Sequence, residues 1–386
     1  MENLTGPRGK RGDINVAILG ASGYTGAELI RLLLAHPHVR IAALTGESQA
    51  GKPLGEVYPH LAHAGLPALL RHEQVDFSCI DLVFCCLPHG TTQPIIAQLL
   101  SLPIRGRAGV GALFNSEHNN APHPSSPLQG EGIRIIDLSA DFRLHNVADY
   151  AQWYGHAHQA PALQAEAVYG LTEHARKAIK SARLVANPGC YPTASLLPLL
   201  PLVASDTLRG EGIIIDAKSG VTGAGRAAKQ AMLFSEINEG VSAYGIASHR
   251  HVPEIEQALA RVLSVRPTIS FTPHLMPMSR GMLATIYATL APQKTYSDAR
   301  RVLEDFYRNE PFVHILPPGI LPATHQVRAS NHAVINLFES RQSGQIILVS
   351  AIDNLTKGAS GQAVQNMNVM YGWPETTGLE QVAVFP

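Results

Sequence analysis

"INVAILGASGYTGAELIRLLLAHP", residues 14–37, decides the fold. Residues 14–20 are largely apolar and do not alternate, as in a strand buried on both faces. From Tyr24 the apolar residues recur at helical spacing, and Pro37 stops the pattern. Between them lies "GASGYTG", with Gly20, Gly23 and Gly26. Glycine permits a tight turn, lets backbone approach a pyrophosphate, and leaves amide groups at a helix N-terminus facing anionic oxygen. The spacing is GxxGxxG rather than the commoner GxGxxG, so the strand–loop–helix context carries the reading. The same glycines could also serve only to pack helix on strand. A dinucleotide held here would lie against Gly20, Ala21, Ser22, Gly23, Tyr24, Thr25 and Gly26.

Further strands follow at "VRIAALTG" (39–46), "IDLVFCCLP" (80–88) and "IRIIDLSADF" (133–142). Strand, helix, strand with continuous apolar strands predicts a parallel sheet covered on both faces. An acid at the end of the second strand would grip a free 2′-hydroxyl. Here that strand runs into "LTGESQAGK": Glu47 suits NAD, whereas Thr45, Ser48 and Lys52 could take a 2′-phosphate. Both cofactors stay open on these residues. Residues 105–132 are rich in Gly, Pro, Ser and Asn and read as a long loop insertion.

From residue 190 the texture changes. "CYPTASLLPLLPLV" reads as an apolar helix, "GIIIDAKSG" (212–220) opens a new set of strands, and 272–290 and 332–340 are strand-like. They predict a mixed sheet in a second, α+β domain. "DNLTKGASGQAVQNMNVMYGW" reads as a loop followed by a helix. The fold class expected is therefore α/β: a dinucleotide-binding domain over 1–189, a second domain over 190–355, and a C-terminal helix within 356–386.

The 386 residues exceed one ordinary core, which agrees with two domains. Hydrophobic residues at 45% and charged residues at 16% describe a packed globule. Lys+Arg and Asp+Glu balance at 30 each, which argues against nucleic acid or an anionic membrane as partner. The first residues carry cations but no apolar run of the signal-peptide kind, and no stretch has the length of a membrane span. Four cysteines (Cys79, Cys85, Cys86 and Cys190) show neither CxxC nor disulfide-framework spacing. A reducing, cytoplasmic setting is expected. The 18 histidines form no zinc spacing, and no metal is expected.

"NPGCYPT" (187–193) then places a thiol at a strand-to-helix elbow. A helix N-terminus stabilises a thiolate and should lower its pKa from about 8.5. The same amides can form an oxyanion hole. The alternative is a buried structural cysteine, the reading that fits Cys85 and Cys86 in their apolar strand. A reactive thiol wants a base, and "SHRHVPEIEQAL" offers His249 and His251, with Glu254 one turn on to orient an imidazole. Ser139 and Arg143 in "DLSADFR", and Lys218 and Arg226 in "KSGVTGAGR", are donors suited to a carboxylate or phosphate, or else plain surface groups. "LPHG" at the end of the strand that carries Cys85 and Cys86 falls where such a sheet meets its cofactor, through Leu87 and Pro88.

With these pieces placed, the chain resembles the N-acetyl-gamma-glutamyl-phosphate reductases of arginine biosynthesis. The resemblance lies in "GASGYTG", "GKPLGEVYPHL", "CLPHG", "DLSADFRL", "VANPGCYPTA", "KSGVTGAGR", "HRHVPEIEQ" and "DNLTKGASGQAVQNMN", in family order and over nearly all the chain outside 105–132. It implies a Rossmann domain, an α+β catalytic domain, NADP as cofactor, and a homo-oligomer, dimer or tetramer, built through the catalytic domain. It also implies that the C-terminal helix returns to the Rossmann domain. Cys190 would be the nucleophile and His251 the acid/base. Ser48 and Asn354 would join the cofactor site, and Ser139, Arg143, Lys218, His249 and Glu254 the substrate site. The chain departs from the family at the 105–132 insertion and in "TGESQAG", which lacks the Arg often found after the second strand. Two other readings use the same residues: an aspartate-semialdehyde dehydrogenase, against which "HRHVPEIEQ" and "DLSADFR" speak, and a catalytically silent NADP-binding regulator.

Overall fold

The computed structural model describes residues 14–102, 132–263 and 266–385; the insertion read over 105–132 lies outside them but for its last residue. Seven strands form the first sheet: β1 (Ile14–Leu19), β2 (Val39–Thr45), β3 (Leu69–Leu70), β4 (Leu82–Cys85), β5 (Arg134–Asp137), β6 (Val168–Tyr169) and β7 (Leu184–Ala186). Their order is β3-β2-β1-β4-β5-β7-β6, and every pairing is parallel. All four residues of β4 and of β5 are buried, as expected of strands covered on both faces. The helices α1 (Tyr24–Leu33), α2 (Thr92–Ser101), α3 (Val147–Tyr154) and α4 (Thr172–Ser181) belong to this half. Strand order reverses between β1 and β4, which opens a crevice beyond their carboxyl ends.

Beyond β7 the chain enters α5 (Cys190–Ala204), whose residues from Tyr191 to Val203 are all buried. A helix apolar on every side must be enclosed, and this one belongs to the core of the second half. There a mixed sheet is built from β8 (Ile214–Gly220), β9 (Ser242–Ala243), β10 (Ser270–Met276), β11 (Met282–Thr289), β12 (Val313–Ile315), β13 (Ala333–Glu339) and β14 (Gln345–Ile352). Its order is β12-β13-β14-β11-β8-β10-β9. The parallel pair β8–β10 is joined through α6 (Val252–Ala260), while β11 lies antiparallel to both β8 and β14. Helix α7 (Tyr296–Tyr307) packs on the same sheet, and α8 (Gly361–Tyr371) closes the chain.

Helix α8 does not stay with the second sheet. Its Ala363, Val364, Met367 and Met370 lie in the apolar cluster of β1 and α1. A π-helical turn, Thr356–Ser360, leads into it. There Ser360 donates to the Thr25 carbonyl at 2.9 Å, Thr356 to Glu28 at 2.9 Å, and buried Lys357 to Glu173 at 2.6 Å. Among the described residues no helix is long and apolar enough to cross a membrane.

Glu28 fastens α1 to this frame. Its buried carboxylate receives Arg31 at 2.7 Å and Arg280, from the segment between β10 and β11, at 2.6 Å. Burial alone would raise its pKa, but the two arginines outweigh it and hold the group down from 4.5 to about 2. A depressed carboxyl contributes stability that is complete above the unfolded value and is lost as pH falls toward the folded one. The shift corresponds to about 3 kcal/mol at neutral pH. Glu28→Gln should therefore destabilise by about that amount at pH 7. Its deficit should shrink to less than half near pH 3. Urea unfolding at the two pH values checks both.

Candidate active site

The loop after β1 is built as the sequence requires. Gly20 has φ +83°, and a Cβ there would sit 2.5 Å from the Cys86 carbonyl oxygen at the end of β4. A Cβ on Gly26 would meet the Gly20 carbonyl at 2.6 Å. These two glycines let the loop, the first turn of α1 and the β4 end close on one another. The first-turn amides of α1, which no helix carbonyl can reach, border the crevice. The residues present thus fit a dinucleotide pyrophosphate. Arg226 arrives from beyond β8 and donates to the Ser22 carbonyl at 3.0 Å, where Tyr58 also donates at 2.8 Å. Its guanidinium lies 4.6 Å from the Tyr58 ring centroid.

At the end of β2 the candidate 2′-phosphate donors separate. Thr45 is buried and its hydroxyl accepts the Gly20 amide at 3.1 Å, so it is committed to the loop. Glu47 accepts both the His72 amide and its Nδ1 at 3.0 Å. Partial burial pushes its pKa up, yet the His72 contacts and Arg71 prevail and keep the carboxyl below its ordinary value. Ser48 is exposed. Asn354 is buried and spans two backbone turns: its Oδ1 accepts the Gly281 amide at 2.8 Å and its Nδ2 donates to Thr222 at 2.9 Å. It thereby fixes the Gly-rich turn of 220–225. Among the described residues Glu47, His72 and Glu73 bring three potential metal-ligand atoms within 4.8 Å, and none of the three lines the cleft described next.

Cys190 is the first residue of α5, and Gly189 before it is extended (φ −69°, ψ 156°). A Cβ on Gly189 would collide with His251 Nε2 and lie 2.8 Å from Arg143 Nη1. Glycine at 189 is therefore what lets the imidazole and the guanidinium press against the elbow. Two buried groups, Glu254 and Arg143, hold this arrangement. Glu254 Oε1 accepts the Gly189 amide and the Tyr169 hydroxyl, both at 2.8 Å. Arg143 donates through Nε to the Asn187 carbonyl at 2.8 Å and through Nη2 to the Leu138 carbonyl at 3.1 Å. Its Nη1 faces His251 Nε2 and Glu254 Oε2, each at 3.4 Å. Behind the thiol stands the π-helical turn: a Cβ on Gly358 would be 2.8 Å from that of Cys190, and the Ala359 carbonyl accepts Asn187 Nδ2 at 3.0 Å.

The thiol is not lowered as its place at a helix N-terminus predicts. Burial pushes it up to about 11, while Arg143 and the amide of Tyr191 pull the other way and lose. Burial likewise drives His251 well below its ordinary value, aided by His249, Arg143 and Arg250. The protein alone thus holds a neutral thiol one residue after the glycine that a neutral imidazole presses on. Among the described residues the Nδ1 of that imidazole has no hydrogen-bond partner. His249 accepts the His251 amide on its Nδ1 at 3.1 Å and packs among Tyr191, Tyr244 and Phe271. Burial, then Arg250, lowers it to about 4.

A cleft of about 460 Å³ opens on the two histidines and Arg143; Cys190 is not in its lining and adjoins it through Gly189, against which His251 and Arg143 press. Leu87, Pro88, Ser139 and Arg143 line it from the first half, His249 and His251 from the second. Two expected substrate ligands stand elsewhere. Lys218 is on β8, paired with Asp216 at 2.8 Å, and is not part of the lining. Glu254 does not orient an imidazole; it holds Gly189, Tyr169 and Arg143 together. The Ser139 hydroxyl is taken up by Asp137 at 2.7 Å and Thr92 at 2.9 Å. Asp141, two residues on, caps α2 through the Gly90 and Thr92 amides at 2.6 and 3.1 Å, and so fixes the turn after β4. The sequence reading missed His89, Tyr154, Tyr244 and Arg250, all in the lining. Two of them had a signal: His89 belongs to the quoted "LPHG", and Arg250 stands between two singled-out histidines.

Comparison with known proteins agrees with this architecture. Residues 15–104 match the family model described as semialdehyde dehydrogenase, NAD binding domain, and residues 190–354 match semialdehyde dehydrogenase, dimerisation domain. A probable chloroplastic N-acetyl-gamma-glutamyl-phosphate reductase of Arabidopsis thaliana is 51% identical over 374 residues, 97% of this chain and 86% of that one. The N-acetyl-gamma-glutamyl-phosphate reductase of Rhodospirillum rubrum is 51% identical over 373 residues, covering 97% and 99%. Among solved structures, an aspartate semialdehyde dehydrogenase of Candida albicans with NADP superposes with TM-score 0.65 at 14% identity, covering 93% and 98%. One from Vibrio cholerae gives 0.64 at 15% with the same coverage. At these identities the structures show the fold alone.

Proposed function

The chain belongs to the N-acetyl-gamma-glutamyl-phosphate reductase family, and from that premise we propose how its cleft carries the family's reaction. It reduces N-acetyl-L-glutamyl 5-phosphate to N-acetyl-L-glutamate 5-semialdehyde and phosphate, with NADPH, in arginine biosynthesis. The residue roles rest on one arrangement: His251 and Arg143 both press on Gly189, directly before the thiol that opens α5.

Cys190 Sγ attacks the acyl carbon, and its proton passes to His251, which burial keeps neutral and able to accept it. Arg143 and the Tyr191 amide stabilise the thiolate as it forms. The carbon–oxygen bond to the phosphoryl group breaks, phosphate leaves with the electron pair and takes a proton from solvent, and a thioester joins substrate to Cys190. Bound NADPH supplies the hydride that the thioester carbonyl accepts. The hemithioacetal oxyanion then collapses, the carbon–sulfur bond breaks, and His251 returns its proton to the departing thiolate. Gly20 to Gly26 would hold the cofactor's pyrophosphate, Ser48 would reach its 2′-phosphate, and Leu87 and Pro88 would border its nicotinamide. Asn354 would act on that site through the turn it fixes.

We further propose the unit boundaries 1–189, 190–355 and 356–386, with a homo-oligomer formed through the second unit. Asp216, Lys218 and His274 are half-exposed on one face of its sheet, which leaves that face open to a second copy. Cys79, Cys85, Cys86 and Cys190 are all free thiols, which suits a reducing compartment. The cytoplasm is the compartment proposed, although the Arabidopsis relative is named chloroplastic. The reaction is tested in reverse, which avoids the unstable acyl phosphate. Phosphate-dependent reduction of NADP with N-acetylglutamate semialdehyde is expected. Turnover of aspartate semialdehyde in its place would reject the reading.

A further inference from the structure

The cleft holds more positive charge than the mechanism uses. Its lining includes two arginines, Arg143 and Arg250, three histidines and no carboxylate. Arg143 is bound into the protein through Nε, Nη1 and Nη2, and Glu254, outside the lining, balances its charge. Arg250 is different. It is exposed, donates to the His89 ring, and lies 5.4 Å from the Tyr154 ring centroid. Among the described residues it has no carboxylate partner. Its charge opposes protonation of His89, His249 and His251 together with burial. Arg143, Arg250 and Tyr154 line the same cleft, with the Arg250 guanidinium over the Tyr154 ring.

We propose that Arg250 grips the phosphate of the acyl phosphate, closing with Arg143 a two-cation pocket beside Tyr154. This rests on the acyl-phosphate reading and names a residue for it. A phosphate dianion calls for two cations and accepts the planar fork of arginine through paired hydrogen bonds. A carboxylate would be served by one. Arg143, pinned against Gly189, sits where the leaving group departs. Arg250, bound only to a neutral ring, can exchange His89 for a phosphate oxygen.

The reverse reaction separates the two anions, because inorganic phosphate and N-acetylglutamate semialdehyde are independent substrates. For Arg250→Met the KM for phosphate should rise on the order of 30- to 100-fold, with that for the semialdehyde within about threefold. Arg250→Lys, which keeps charge without the fork, should recover part of the loss. Unchanged thermal unfolding is expected of an exposed position. An unaltered KM for phosphate overturns the proposal. So does a rise confined to the semialdehyde, which would move Arg250 to the carboxylate end. Wild-type protein without phosphate-dependent turnover sinks the reaction reading itself, a result visible before any variant is made.

Discussion

Cys190→Ser is expected to abolish measurable reduction, a loss on the order of 10⁴-fold or more, while NADP still binds. A serine hydroxyl is far harder to ionise than a thiol that burial already pushes up to about 11. An ester also accepts hydride less readily than a thioester. The substitution changes one atom at a helix N-terminus, so α5 and its Gly189 cap should hold. The cofactor loop lies across the crevice at Gly20–Gly26, and its glycine contacts do not involve the thiol. Fluorescence titration with NADPH, beside steady-state assay, measures both halves of the expectation. Near-normal turnover would remove the covalent mechanism.

His251→Asn comes next, with an expected cost on the order of 10²–10⁴ in rate. The thiol remains, but no group stands at Gly189 to take its proton and return it. His249→Asn should cost less and act mainly on KM, because His249 packs among aromatic rings and supports the His251 amide. The larger loss of kcat falling on His249 would reverse the two roles. The reason for the ranking is that His251 Nε2 is the nearest atom to a Cβ built on Gly189.

What the chain order reveals, and what it hides, divides along local and long-range lines. β1, the glycine loop and α1 are local, and 14–37 shows them directly. So is the elbow, since Pro-Gly before Cys190 starts α5. Helix α7 was not legible: "YSDARRVLEDFY" is strongly charged and buries only Ala299, Leu303 and Tyr307, though Thr295 and Asp298 form a capping box at its start. β14 was passed over because its value lies in pairing, between β11 and β13. The site shows the same division. Helical spacing sets Glu254 one turn from His251 and suggests an imidazole partner, yet the fold brings Tyr169 and the Gly189 amide to it from distant segments. Lys218 looks like an anion ligand until β8 sets Asp216 beside it. The dipole argument for a lowered thiol pKa fails because burial is a property of the assembled core, which no short stretch displays.

The most direct test of the central claim is the acyl-enzyme itself. The protein should be mixed with N-acetylglutamyl 5-phosphate, generated in place, without NADPH. It should then be quenched in acid, digested, and mapped by mass spectrometry. One N-acetylglutamyl group on the peptide carrying Cys190, released on adding NADPH and missing in Cys190→Ser, is the expected result. An adduct on Cys79, Cys85 or Cys86, or full turnover with no adduct on Cys190, would contradict the account.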